Sequence, residues 1–410
     1  MSRSINMEIG PILRAITRNK LGVVLIALQI AFTMTVMVNA IFIINERSRM
    51  MGRPSGLDEA NIFYLSSIGF GDQFNGSNSV AEDLDLLRQT PGIVDATLTN
   101  SIPLSSSGSN TGIRSEPDPT LPAMYPALYY TDEHAINTMD IELIAGENFA
   151  PSDVIFRESS EQRLYNKAII SQAFAEDFFE ENAENAVGKT VYIEGDKPLQ
   201  ITGVVRRLQS PWMGNAGRDE YTMLIPNSSV TSGAMYLIRT EAGERDRLMS
   251  EVEETLASNN PNRIIRGLKS MDETREESYL VDSAMATILY VVIVTLVFIT
   301  TMGIVGLAVF GINRRRKQIG TRRALGATQF EILRYFMVEN FLVTGVGVTL
   351  GATLTIAFSI ALSSLFDMPT MAWYYTPLGM LVLLGIGQLA VLAPAAKAAR
   401  IEPAIATRSI

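Results

Sequence analysis

The 410-residue sequence contains no cysteine and a single histidine, His134. The first absence excludes a disulfide framework. The second excludes a metal centre built from histidines, and with no nucleophile elbow it leaves no case for a Ser-His-acid relay. A phosphate-binding loop is missing too. The one fragment that resembles it is Gly188-Lys189-Thr190, and Ala183 stands where the first glycine of Gly-x-x-x-x-Gly-Lys-Thr belongs. A turn between strands is the simpler reading, and no catalytic site is visible in the chain. No cleavable signal-peptide pattern is visible either, so none is expected. The first apolar run is longer than a signal-peptide core, and Asn45-Glu46-Arg47 is no small-residue cleavage site. That run is therefore expected to stay as a signal anchor.

What the sequence does have is length in its apolar runs. Residues 21–44, 283–312, 336–366 and 377–395 are each long enough for a bilayer core, which needs roughly 20 helical residues. The fold class expected is an α-helical membrane protein with four transmembrane helices. A large α+β extracytoplasmic domain is inserted between helices 1 and 2. Charge sets the orientation. Residues 45–282 hold 20 Lys and Arg against 38 Asp and Glu, a balance of −18, while the rest of the chain holds 14 against 5, a balance of +9. All 14 basic residues fall in the N-terminal tail, the segment between the second and third runs, and the C-terminal tail. Lys and Arg are retained in short loops on the inner side, so both termini are expected to be cytoplasmic. The large domain would be periplasmic, in a multi-pass protein of a bacterial inner membrane. A domain of that size buries enough core to do without disulfides.

The expected organisation follows. Residues 1–20 form a cytoplasmic N-terminal segment whose apolar positions Ile9, Ile12, Leu13 and Ile16 recur at helical spacing. It reads either as an amphipathic helix in the membrane interface or as a plain basic anchor. Residues 21–51 make transmembrane helix 1 and a stalk, and 52–270 the periplasmic domain. In that domain a split α+β part (about 58–102 and 230–270) surrounds an inserted subdomain (about 103–229). Residues 271–312 make a stalk and helix 2. Its apolar part alone is 30 residues, about 45 Å as a helix against a hydrocarbon core of about 30 Å. Either the helix projects as a stalk or its ends fray. Residues 313–335 form a cytoplasmic loop, 336–366 helix 3, 377–395 helix 4 and 396–410 a cytoplasmic tail.

The loop is the densest signal. Arg314, Arg315, Arg316, Lys317, Arg322 and Arg323 fall within ten residues. Gly326 suits the position that ends a helix in left-handed geometry. Thr328-Gln-Phe-Glu331 is a capping box that starts the next helix. A short bounded helix between two membrane helices is expected. Glu339 lies just inside the third span, where a carboxylate is costly. A structural role, facing protein or pairing with Arg334, and a transport role are the two readings. Gly345, Gly347 and Gly351, with Gly379, Gly385 and Gly387, suit close helix packing.

This arrangement, with RRRKQIGTRRALGAT after the second span, resembles the MacB/FtsX-like permeases of ABC transporters. Ile319, Gly320, Ala324, Leu325, Gly326 and Ala327 match the family's pattern, and Gln318 stands where members commonly have Glu. Glu339 matches a Glu that members often carry. In the large domain LLRQTPGIVD (86–95), IELIAGENF (141–149) and ITGVV (201–205) resemble the MacB periplasmic core, and AAKAARIEPAIAT (395–407) resembles the family's ending.

The resemblance implies a transporter subunit, not an enzyme. Residues 314–320 and 322–327 would be its ATPase-coupling segment. A cytoplasmic ABC ATPase dimer would bind ATP and Mg, with no cofactor in this chain. A second permease subunit, identical or different, would complete the membrane part, and Gln318 raises the option of an asymmetric pair. Partners further out would be a periplasmic adaptor and an outer-membrane channel, with no nucleic acid. Work would be done outside the membrane by mechanotransmission, exporting peptides, antibiotics or other amphiphiles. The alternatives are Lol-type lipoprotein extraction from the inner membrane and FtsX-like regulation of a cell-wall hydrolase.

Overall fold

The computed structural model describes residues 20–71, 74–157, 165–213, 218–230, 233–366 and 368–402. The expected N-terminal amphipathic helix and residues 403–410 of the tail lie outside these. The chain divides into a helical unit, made from the segment up to Met51 and from Val281 onward, and a mixed α and β domain, Gly52–Leu280.

The elements run in chain order as α1 (Lys20–Met51), β1 (Ile62–Gly69), α2 (Gly76–Gln89), β2 (Ile93–Thr99), β3 (Ser109–Asn110), β4 (Ile113–Arg114) and β5 (Ala127–Tyr130). Then come α3 (Ala135–Met139), β6 (Leu143–Gly146), β7 (Ile155–Arg157), β8 (Lys167–Ser171), α4 (Gln172–Phe179), β9 (Thr190–Ile193), β10 (Lys197–Val205), β11 (Thr222–Ile225) and β12 (Asn227–Ser229). The last group is β13 (Gly233–Thr240), α5 (Arg245–Asn259), β14 (Arg263–Ser270), α6 (Met271–Ser278), α7 (Leu280–Arg314), α8 (Arg316–Ala324), α9 (Gln329–Phe366) and α10 (Tyr375–Ala399).

The large domain is built on two sheets. The first has the antiparallel order β14-β1-β13-β2. Two β-α-β pieces distant in sequence thereby interleave in one sheet, the split βαβ arrangement. Alternate residues point to opposite faces. Phe63, Leu65, Tyr236 and Ile238 share a core with Leu84 and Leu87 of α2 and with Leu248, Val252 and Leu256 of α5. Ile62 and Leu237 join a second core with Tyr129, Met139, Leu224 and Met271. The second sheet has the mixed order β3-β5-β11-β8-β10-β9-β4, with β6 on β10. It buries Phe174 and Ala175 of α4 with Ile170, Val191 and Ile201. A small parallel pair joins β7 and β12.

Strand β14 has no counterpart in the sequence reading. RIIRGLKS carries three basic residues in eight and does not alternate. Tertiary contact decides it: the buried Arg263 pairs with the buried Asp83 of α2, which also accepts a 2.6 Å hydrogen bond from Tyr236 Oη. The chain's single histidine is also part of a packed network. His134 Nδ1 lies 2.9 Å from Asp95 Oδ1, and Arg88 donates to Asp132 at 3.1 Å. Among the described residues no cluster of His, Asp and Glu suits a metal ion.

The polar stretch before the second span departs from expectation. It is not a continuous extension of that span but a separate helix, α6, broken from α7 at Tyr279 (φ −97°, ψ 9°). Ser270 and Glu273 form a capping box at its start. Thr274 donates to Tyr64 Oη at 3.0 Å, and Arg275 forks onto Glu59. These bonds hold α6 to the large domain. The remaining helix α7 still has 35 residues, about 52 Å at 1.5 Å per residue. Arg47, on the extension of α1, pairs with Asp282 of α7 at 2.7 Å.

All four long helices, α1, α7, α9 and α10, are long and apolar enough to cross a membrane. Without a hydrophobic force between helices in lipid, contact depends on small residues and hydrogen bonds. A Cβ on Gly347 of α9 would stand 2.8 Å from Ile30 Cβ of α1, and one on Gly351 would stand 2.9 Å from Met34 Cβ. Gly379 of α10 lies against Val38 in the same way, whereas Gly345 and Gly385 face open space. Thr33 and Thr300 link α1 to α7 through a 2.7 Å hydroxyl contact.

Two tests follow from these contacts. Gly347→Ala and Gly351→Ala should each lower stability by about 1–3 kcal/mol through overpacking. Gly345→Ala should leave it unchanged, as read by thermal unfolding in detergent. The second test is acid titration. Burial pushes the Glu59 carboxyl up, but hydrogen bonds from Arg275 and Ser55 and the Arg275 charge outweigh it, so its pKa lies below 4.5. A carboxylate lowered on folding stabilises above its unfolded pKa, and that contribution is lost as pH falls through the folded value. Stability of the large domain should drop below about pH 4.5, and Glu59→Gln should flatten that acid limb.

Candidate functional site

The basic segment folds as α8, nine residues between two membrane-length helices. Arg315 is the joint with α7, at φ −106° and ψ 11°. Residue Ile319 is buried in a cluster that includes Ile332 and Phe336 of α9 and Val391, Ala395 and Ala398 of α10. Gly320 beside it is also buried. These two residues seat α8 on the bundle.

Both ends of the α8–α9 corner are closed by local chemistry. Gly326 takes φ 99°, and its N–H donates to Arg323 O at 3.1 Å, while Ala327 N–H donates to Arg322 O at 3.0 Å. That pair of bonds is a Schellman closure. Thr328 N–H then donates to Glu331 Oε2 at 2.9 Å, and Glu331 N–H to Thr328 Oγ1 at 3.2 Å, completing the capping box. Helix α9 therefore begins at Gln329, seven residues before the apolar run, and residues 313–335 are mostly helix rather than loop.

The charged residues fall into two groups. Arg314, Arg316, Lys317, Gln318, Arg322, Ala324, Leu325 and Gly326 are exposed, and Arg323 and Ala327 are half-buried. Arg323 donates to Ala327 O at 2.9 Å across the turn. Leu325 is 84% exposed and Phe330 68%, so apolar side chains flank the basic face. Arg316 and Lys317 occupy the first turn of α8, where the helix dipole disfavours cations by about 0.3–1 kcal/mol. Stability alone does not account for them there.

Arg315 differs from the others. Its guanidinium forks onto Glu339 of α9 at 2.7 and 2.9 Å and reaches Tyr335 Oη at 3.5 Å. This corrects the expected pairing of Glu339 with Arg334. Five residues along an α-helix turn about 140°, so Arg334 points away from Glu339. Tyr335, four residues before Glu339, shares its face and was not singled out in the sequence; the i, i+4 spacing was the available signal. Arg322 stacks over the Tyr335 ring at 5.3 Å. Arg315 and Glu339 line a small half-open cleft, of about 60 Å3, whose other walls are largely apolar, among them Val23, Ile304, Leu307 and Phe336.

Residues 290–403 match the model of the FtsX-like permease C-terminal domain, and residues 21–256, more than half of the chain, match the MacB-like periplasmic core domain. The chain belongs to the MacB/FtsX-like ABC transporter permeases. It is similar to the uncharacterized ABC transporter permease YknZ of Bacillus subtilis (25% identity, covering 67% of each chain). It is also similar to the macrolide export ATP-binding/permease protein MacB of Neisseria gonorrhoeae (22% identity over 95% of this chain and 59% of that one) and of Campylobacter jejuni (26%, over 55% and 36%). The matches thus span less than two thirds of those MacB chains. Among solved structures, the periplasmic region of MacB from Actinobacillus actinomycetemcomitans aligns at TM-score 0.33 and 14% identity, over 56% of this chain and 97% of that one. The extracellular domain of YknZ from Gram-positive bacteria aligns at 0.31 and 16%, over 50% and 100%. As a permease of this family, the chain is a membrane protein whose large domain is of the periplasmic type.

The corner should respond to its caps. Thr328→Ala should cost about 1 kcal/mol of local stability, and Gly326→Val more than that, because a β-branched residue resists φ 99°. Amide exchange over residues 316–331 should rise several-fold in both variants while exchange in β8 and β10 stays unchanged.

Proposed function

We propose that this chain is the membrane subunit of an ABC transporter that couples ATP hydrolysis in a separate cytoplasmic ATPase dimer to movement of its large periplasmic domain. ATP and Mg are bound by that partner. A second permease subunit completes the membrane part. The protein lies in the bacterial inner membrane with both termini cytoplasmic, as the distribution of basic residues supports. The movement drives export of amphiphilic cargo, such as peptides or antibiotics, through a periplasmic adaptor and an outer-membrane channel. The names of the MacB relatives support export as the direction.

The observation that carries the reading is α8 itself. It is short, closed at its C-terminal end and followed at once by a capped helix. It rests on two membrane-length helices through Ile319 and turns a basic face with flanking apolar residues outward. A rigid element of that kind takes a push from a docked protein without dissipating it in loop motion. The few ionisable residues in the four spans favour work done outside the bilayer over a polar conduit through it.

The test is a charge reversal on the exposed face. Arg316→Glu with Lys317→Glu alters only exposed side chains and improves the helix dipole, so the fold should persist. Permease-stimulated ATP turnover of the copurified complex should fall at least about tenfold, equivalent to about 1.4 kcal/mol. Turnover equal to wild type, or copurification of no ATPase at all, refutes this function.

A further inference from the structure

Six basic residues crowd the α8 segment, yet Arg315 faces inward. Its position is distinctive. The backbone at Arg315 leaves α-helical geometry, and its N–H makes a tight-turn bond to Ile312 O at 3.1 Å. This joint interrupts the regular helical geometry between α7 and α8. The side chain at the same residue reaches across to α9 and takes both oxygens of Glu339. At the other end of α8, Arg322 stacks on Tyr335. One turn of α9, Tyr335 to Glu339, therefore grips both ends of α8. The next residue, Asn340, donates to Gly387 O of α10 at 2.9 Å. Further along, the same helix meets α1 at Gly347 and Gly351.

We propose that Arg315 and Glu339 are positioning residues that latch α8 to α9, so that a push on α8 moves α9, and α1 with it, rather than folding the joint into α7. This deepens the function proposed above and rests on it. The pair is bidentate, which fixes orientation as well as distance. It lines a largely apolar cleft, where its attraction is less screened than at a surface and either charge left alone is costly. The second contact, Arg322 on Tyr335, prevents α8 from pivoting about the first. On the α7 side the contact is apolar, with Ile312 in the cluster around Ile319, and among the described residues no ion pair spans the joint.

Because the chain has no cysteine, a pair of introduced thiols is labelled without competition from its own residues, before the permease is joined to the ATPase. Ser364→Cys at the far end of α9 and Leu378→Cys near the start of α10 carry spin labels, and the distance between them is measured in the full ATPase–permease complex in liposomes, without nucleotide and with ATP under hydrolysis-blocking conditions. The labelled parent should show a nucleotide-dependent shift. Glu339→Gln, which preserves shape, should copurify the ATPase in parental amount yet lose most of that shift. The swap of Arg315→Glu with Glu339→Arg should restore at least half of it, whereas Arg315→Glu alone should not. An unchanged shift in Glu339→Gln overturns the latch while leaving the function standing, as does a swap no better than its single components. A parent that captures no ATPase overturns the function and the latch together.

Discussion

The helical unit depends on one close approach. Lipid gives two apolar helices no reason to prefer each other over acyl chains, so a bundle needs backbone contact or polar links. Here α9 lies along α1 with Gly347 against Ile30 and Gly351 against Met34. Any side chain at those two positions would push the helices apart. Hydrogen bonds add to the contact, with Asn39 of α1 reaching Thr355 O at 3.4 Å. Because α9 is held there, its first turns are held as well, and those turns carry Tyr335 and Glu339. The seat of α8 is therefore set by a contact more than two helical turns away from it.

The same logic explains why α8 is short. A helix of nine residues is unstable alone, since nucleation is costly and tertiary contact must compensate. Ile319 and Gly320 supply burial, Gly326 and Ala327 close the carbonyl end, and Arg315 adds a forked ion pair at the amino end. The exposed cations at its start work against it. Local stability is thus concentrated on the inner face, leaving the outer face free for charge that the fold itself does not need.

The large domain shows a different balance. Its two sheets have dense cores, and its ion pairs tie sequence-distant segments: Arg263 to Asp83, and Arg275 to Glu59. Such pairs give little net stability when exposed, but leaving one partner alone inside the protein is expensive. The first fastens β14, already laddered to β1, to α2, and the second fastens α6 to the segment before β1.

The spans, the charge asymmetry, the helix-ending glycine and the Thr328–Glu331 cap were all readable in the one-dimensional order of residues, because each rests on local periodicity or on neighbours within four positions. Interleaving of the two β-α-β pieces was partly readable, since β1, α2, β2, β13 and α5 have clear patterns. Strand β14 was not readable, because its burial depends on a carboxylate 180 residues away. The partner of Glu339 also required the fold. Sequence proximity pointed to Arg334, but helix rotation carries Arg334 aside and the α8–α9 corner brings Arg315 in. Local order decides which elements form. Only the three-dimensional arrangement decides which charge meets which, since ion pairs follow distance in space and not along the chain.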